Sequence, residues 1–110
     1  MALIVNPSLR TELESKRTDL VALCRKYGVS RLELFGSGVT EGWQPGESDL
    51  DFVVAFRSDP HRSLADRYLG LAEELEALFG RSVDVLTDRA IRNPYFRANV
   101  DATRVPVYAE

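Results

Sequence analysis

Asp49 and Asp51 stand two apart in Asp49-Leu50-Asp51-Phe52-Val53-Val54-Ala55-Phe56, the most strand-like stretch of the chain. A strand repeats every two residues, so both carboxylates face the same side. Side by side they repel each other and resist desolvation, a cost that a bound cation removes. Mg²⁺ suits such oxygen ligands and bridges them to phosphate oxygens, and Mn²⁺ is the alternative. The plainer reading is a solvated strand start that caps a turn after Ser48. Two further features weigh against it. Upstream, a strand ends at Phe35 and runs into Gly36-Ser37, where successive backbone N–H groups form an anion nest and the Ser37 hydroxyl adds a hydrogen bond. Downstream, Asp84 sits between Val83 and Val85. If its strand lies beside that of Asp49 and Asp51, three carboxylates converge on a site suited to two metals and phosphoryl transfer.

The elements that must hold these groups follow from periodicity. Asn6-Pro7 starts a helix, with Asn as cap and Pro at the first helical position. Leu13, Leu20, Val21, Cys24 and Tyr27 carry that helix to a stop at Gly28. Arg31–Phe35 alternates as a short strand. Val39 to Ser48 is rich in Gly, Pro and Glu and reads as loop. After the Asp49–Phe56 strand, Ser58-Asp59-Pro60 opens a second helix whose buried stripe is Leu64, Tyr68, Leu71, Ala72, Leu75, Leu78 and Phe79, ended by Gly80. Ser82–Leu86 is a strand, Pro94–Val100 a short helix, and Val105–Tyr108 a last strand. This order predicts an α/β (α+β) domain with a mixed sheet flanked by helices.

The sequence has 110 residues, 45% of them hydrophobic, and one cysteine. That length predicts one domain over 1–110, with a core and no disulfide. Cys24 reads as a small buried hydrophobe, and a disulfide-free chain points to the cytoplasm. Ala2-Leu3-Ile4-Val5 is too short for a signal core or a membrane span. A net charge of −3 offers no basic field for polynucleotide, so nucleic-acid binding by this domain alone is disfavoured. His61 and the Glu73-Glu74-Glu76 run read as surface. Tyr95 and Phe96 read as packing for the last helix. Trp43 reads as cover for the edge of the core, with stacking on a base or anchoring a partner as the other reading.

Phe35-Gly36-Ser37, then Ser48-Asp49-Leu50-Asp51-Phe52-Val53-Val54, then Val83-Asp84-Val85, resembles the nucleotidyltransferase superfamily of DNA polymerase beta. More narrowly it is similar to the minimal nucleotidyltransferases (MNT proteins), whose ending Arg92-Asn93-Pro94-Tyr95-Phe96 and Val105-Pro106-Val107-Tyr108 also match. The resemblance implies a polymerase-beta-like fold and transfer of a nucleoside monophosphate, AMP from ATP. It implies that Gly36 and Ser37 contact the phosphates. Asp49 and Asp51 would ligate Mg²⁺, and Asp84 would complete the metal site and help deprotonate the acceptor. It also implies a HEPN-family partner, an RNase toxin silenced by attached AMP, which would make this chain an antitoxin. Homo- and hetero-oligomers both stay open. One departure stands out: where many members carry an arginine three residues after the serine, this chain has Thr40. Arg57, Arg89 and Arg92 are the candidate replacements. Thr40 favours a rival reading, a weak or inactive nucleotide-binding antitoxin that works by contact. A third reading, modification of a small molecule, would ordinarily need a further domain or a dimer.

Overall fold

In a computed structural model the described residues are 7–36 and 49–110. Asn6, Ser37, Gly38, Thr40, Trp43 and Ser48 lie outside them. The chain forms α1 (Pro7–Ser15), α2 (Arg17–Lys26), β1 (Val29–Phe35), β2 (Leu50–Phe56), α3 (Leu64–Phe79), β3 (Val83–Thr87), a 3₁₀ turn at Asp88–Ala90, α4 (Pro94–Thr103) and β4 (Val105–Ala109). The four strands make one mixed sheet in the order β3-β2-β1-β4. β1 runs antiparallel to β2 and β4, while β2 and β3 are parallel. A parallel neighbour requires a crossover, and α3 provides it.

The first helix is two helices. The chain pauses at Lys16 (φ −103°, ψ 8°), where the Ser15 hydroxyl donates to the Glu12 carbonyl at 2.9 Å. Such a side-chain bond competes with the helical ladder. Arg81 pairs with Glu12 at 2.9 Å and ties α1 to the chain beyond α3. Each helix then turns its own apolar residues inward, Leu9 and Leu13 from α1, Leu20, Leu23 and Cys24 from α2.

α3 begins later than Ser58-Asp59-Pro60. Asp59 accepts from the His61 N–H at 2.9 Å and closes a turn there instead. Ser63 is the cap, its hydroxyl oxygen accepting from the Asp66 N–H at 2.9 Å. Gly80 ends the helix in the left-handed conformation (φ 65°), its N–H on the Glu76 carbonyl at 2.8 Å. The buried stripe is Arg67, Leu71, Leu75 and Phe79, and Leu64, expected inside, is 56% exposed. Arg67 holds the first position of the stripe by donating to the carbonyls of Tyr27 (3.1 Å) and Arg57 (2.6 Å).

The sheet is covered on both faces. Leu32, Leu34, Phe52, Val54 and Val85 pack against α1, α2 and α3. The opposite face presents Phe35 and Val53 to Ile91 and to Val100 of α4. Asn93 caps α4, its side-chain oxygen accepting from the N–H groups of Tyr95 (2.9 Å) and Phe96 (3.1 Å), with Pro94 next in line. An ion network pins α4 down: Arg97–Asp88 at 2.7 Å, Arg104–Glu33 at 3.0 Å and Arg31–Glu33 at 2.8 Å. Burial works to raise the Asp88 carboxyl, yet hydrogen bonds from Arg97 and Arg104 outweigh it and hold it below its ordinary value. Among the described residues no helix is long and apolar enough to cross a membrane.

Candidate active site

The parallel register places Asp51 of β2 directly opposite Asp84 of β3. The alternation along both strands therefore turns the two carboxylates to the same face, the one that α4 covers. Asp49 precedes β2 by one residue and is exposed; Asp84 is exposed and Asp51 half-buried. The Asp51 carboxyl is pushed up to about 6, first by burial, then by the charge and hydrogen bond of Asp84, then by the charge of Asp49. Asp51 thus feels the charge of both other carboxylates.

Among the described residues no group of three His, Cys, Asp or Glu side chains is closed into a ready metal cage. The donor set itself fits a hard divalent cation: carboxylate oxygens, crowded and partly desolvated, at the edge of an open cleft.

Gly36 closes β1 with φ +73°, and a Cβ there would stand 2.9 Å from Asp51 Oδ2. Only glycine meets both demands. Its N–H, expected in an anion nest, donates instead to Thr103 Oγ1 at 3.0 Å. That bond fastens the end of α4 to the turn leaving β1, so the described contribution of Gly36 is clearance beside Asp51. Ser37, the other expected phosphate contact, lies outside the described residues, as does Thr40. Two expected replacements for the missing arginine fall in the wrong place. Asp51 and Asp84 lie near the starts of β2 and β3, whereas Arg57 and Arg89 follow their far ends. At roughly 3.3 Å per residue, Arg57 is about 20 Å from Asp51 along the strand.

A cleft of 420 Å³ opens beside the carboxylates, bordered by Asp51, Asp84, Phe35, Phe96, Leu86 and Tyr68. Phe96 meets Phe35 edge to face, ring centres 6.1 Å apart at 79°. Phe96 is 42% exposed and Tyr95 87%, so the expectation that both pack the last helix fails for Tyr95. α4 buries Val100 alone, and Tyr95, just after the cap, points away. Sequence reasoning missed Thr103 and the aromatic wall. Phe35, directly before Gly36 on an alternating strand, was the available signal for the wall; Thr103 left none. His61 is exposed as expected. Cys24 is fully buried, its thiol pushed up to about 12 by that burial.

Sheet order, paired acidic positions and glycine turn together define a polymerase-beta-like nucleotidyltransferase. Residues 20–105 match the nucleotidyltransferase domain family, and the chain belongs to that family. Two relatives from Methanocaldococcus jannaschii carry the provisional name protein adenylyltransferase. One is 40% identical over 76 residues, 69% of this chain and 74% of the relative. The other is 32% identical over 79 residues, 72% and 76%. Among solved structures, one described provisionally as a minimal nucleotidyltransferase is similar at 35% identity with a TM-score of 0.67, covering 89% of this chain and 94% of the other. An MNT antitoxin solved with a tri-AMPylated HEPN toxin from Shewanella oneidensis shares the fold at 17% identity with a TM-score of 0.59, covering 89% and 73%.

Proposed function

We propose that this nucleotidyltransferase moves AMP from ATP to a hydroxyl on a protein acceptor, a HEPN-type partner, and so acts as an antitoxin. The observation that carries this reading is the Asp51–Asp84 register pair, with the Asp51 carboxyl raised to about 6. The names of the relatives support AMP as the group transferred and a protein as its acceptor.

Asp49, Asp51 and Asp84 would hold Mg²⁺. Once bound, the cation would neutralise both the carboxylates and the triphosphate and stabilise charge on the leaving group. The acceptor oxygen bonds to the α-phosphorus, the bond to pyrophosphate breaks, and the hydroxyl proton passes toward the Asp84 carboxylate. Gly36 keeps the space beside Asp51 open, and the Phe35–Phe96 wall keeps water from one side of the cleft.

The test uses the full chain, a HEPN-type partner, Mg²⁺ and labelled ATP. The partner becomes labelled, and Asp49→Asn with Asp51→Asn lowers the rate by about 10²- to 10⁴-fold. Labelling by the double variant at the wild-type rate would sink the assignment. The second reading, neutralisation by contact, is favoured by Thr40 and by the Gly36 amide already bonded to Thr103. Rescue from the toxic partner by the same double variant would select it.

A further inference from the structure

A cavity of 670 Å³ lies away from the carboxylates, at the far ends of β2 and β3. Four arginines line it, Arg57, Arg62, Arg67 and Arg89, against a single carboxylate, Asp59. In a chain of net charge −3 this is a local reversal of sign. Arg67 is buried and its guanidinium donates to backbone carbonyls. Arg62 pairs with Asp59 at 2.8 Å, and Arg57 with Glu110 at 3.2 Å in an exposed contact. Exposed pairs of this kind are weak and exchangeable. Arg89 enters no ion pair among the described residues and is exposed.

This cavity continues into another. Leu64, Thr87 and Ala90 line both it and an apolar groove of 540 Å³ along the outer edge of β3. Tyr68, Val85 and Leu86 in turn line both that groove and the cleft holding Asp51 and Asp84. One trough therefore runs from the arginines, past apolar side chains, to the carboxylates. Leu64 stands on its wall, 56% exposed.

We propose that this trough docks an extended segment of a partner protein whose apolar side chains are flanked by carboxylates. The carboxylates meet Arg57, Arg62 and Arg89, the apolar groups cover Leu64 and Leu86, and the segment leads toward the Asp51–Asp84 cleft. That last step rests on the protein-acceptor reading above; the docking does not. Charge complementarity selects the occupant: a compact anion would leave the apolar stretch uncovered, and a basic segment would meet the arginines. Recognition is through side chains rather than strand addition, because the Tyr68 hydroxyl already occupies the Val85 carbonyl on the edge of β3.

The probes are a fluorescent synthetic peptide of Val and Leu flanked by Asp and Glu, its counterpart with Lys replacing the acids, and a single-stranded oligothymidylate, each titrated by anisotropy. The acidic peptide binds, weakens with salt, and loses about tenfold or more in affinity to the Arg57→Glu, Arg89→Glu double variant. Leu64→Asp weakens it as well, while the Lys peptide binds at least about tenfold more weakly than the acidic one. The proposal is overturned if the acidic peptide fails to bind, if Arg57→Glu with Arg89→Glu leaves its affinity unchanged, or if the Lys peptide or the oligonucleotide binds equally well. Sedimentation showing a dimer that Leu64→Asp dissociates gives the trough to a second copy and likewise overturns it. Binding that survives Asp49→Asn with Asp51→Asn is expected. Peptide binding by a chain that transfers no AMP to its HEPN-type partner would therefore refute the proposed function and leave the docking surface standing.

Discussion

At one end of the β2–β3 pair lie Asp49, Asp51 and Asp84; at the other lie Arg57, Arg67 and Arg89. Both ends of this strand pair gather like charges, yet the fold treats them differently. The arginines are dispersed: Arg67 is buried but satisfied by carbonyls and lies over the Phe56 ring at 4.8 Å, while Arg57 and Arg62 have carboxylate partners. The carboxylates receive no arginine among the described residues, and Asp51 is left raised, first by burial and then by its acidic neighbours. Arg67, satisfied internally, is structural; the carboxylates left in mutual repulsion, and Arg89 left without an ion pair among the described residues, are held for something that is not part of the chain.

The sharpest way to break this comparison is at the basic end. Arg67→Ala removes the donors of the Tyr27, Gly28 and Arg57 carbonyls and is expected to cost about 2–4 kcal/mol in urea unfolding. Nucleotide binding by the protein that remains folded should be unchanged. A loss of nucleotide affinity without loss of stability would show that Arg67 belongs to the site. Next in size is Gly36→Ala, where the positive φ and the 2.9 Å approach to Asp51 should together cost about 1–2 kcal/mol. It should weaken Mg²⁺-dependent ATP binding as the Asp51 carboxylate is displaced, and calorimetry showing wild-type affinity would remove Gly36 from the site. The smallest effect sharpens the acidic end. Without metal, Asp51→Asn should stabilise the fold, by no more than about 1 kcal/mol once solvent screening of this half-exposed group is allowed for. Mg²⁺ should raise the melting temperature of wild type but not of this variant. A variant that melts below metal-free wild type would mean that the three carboxylates do not strain the fold.

The strands were legible because alternation is a local property: Leu32, Leu34, Phe52 and Val54 face one layer, as their spacing requires. Helix borders were less so. Leu13 and Leu20 are compatible with one straight helix or with two joined at Lys16, and Asp59-Pro60 resembles a helix start as closely as Ser63 does. Leu64 has the spacing of the α3 stripe but no element above it, so periodicity could not separate core from groove. Arg67 escaped because a charged residue reads as surface unless its carbonyl partners, set by a distant turn and the end of β2, are known.

By itself the sequence determined the kinds of element and the kinds of chemistry: an acidic strand start, a glycine turn before it, and a third aspartate between valines. Propensity and periodicity act within a few residues and suffice for that. Only the tertiary structure decided that α3 returns β3 parallel to β2 in the register that sets Asp84 against Asp51. It also decided that Arg57 and Arg89 belong to the opposite end, and that the Gly36 amide is bound to Thr103. These depend on which segments pack together far along the chain, and local residue preferences carry no record of it.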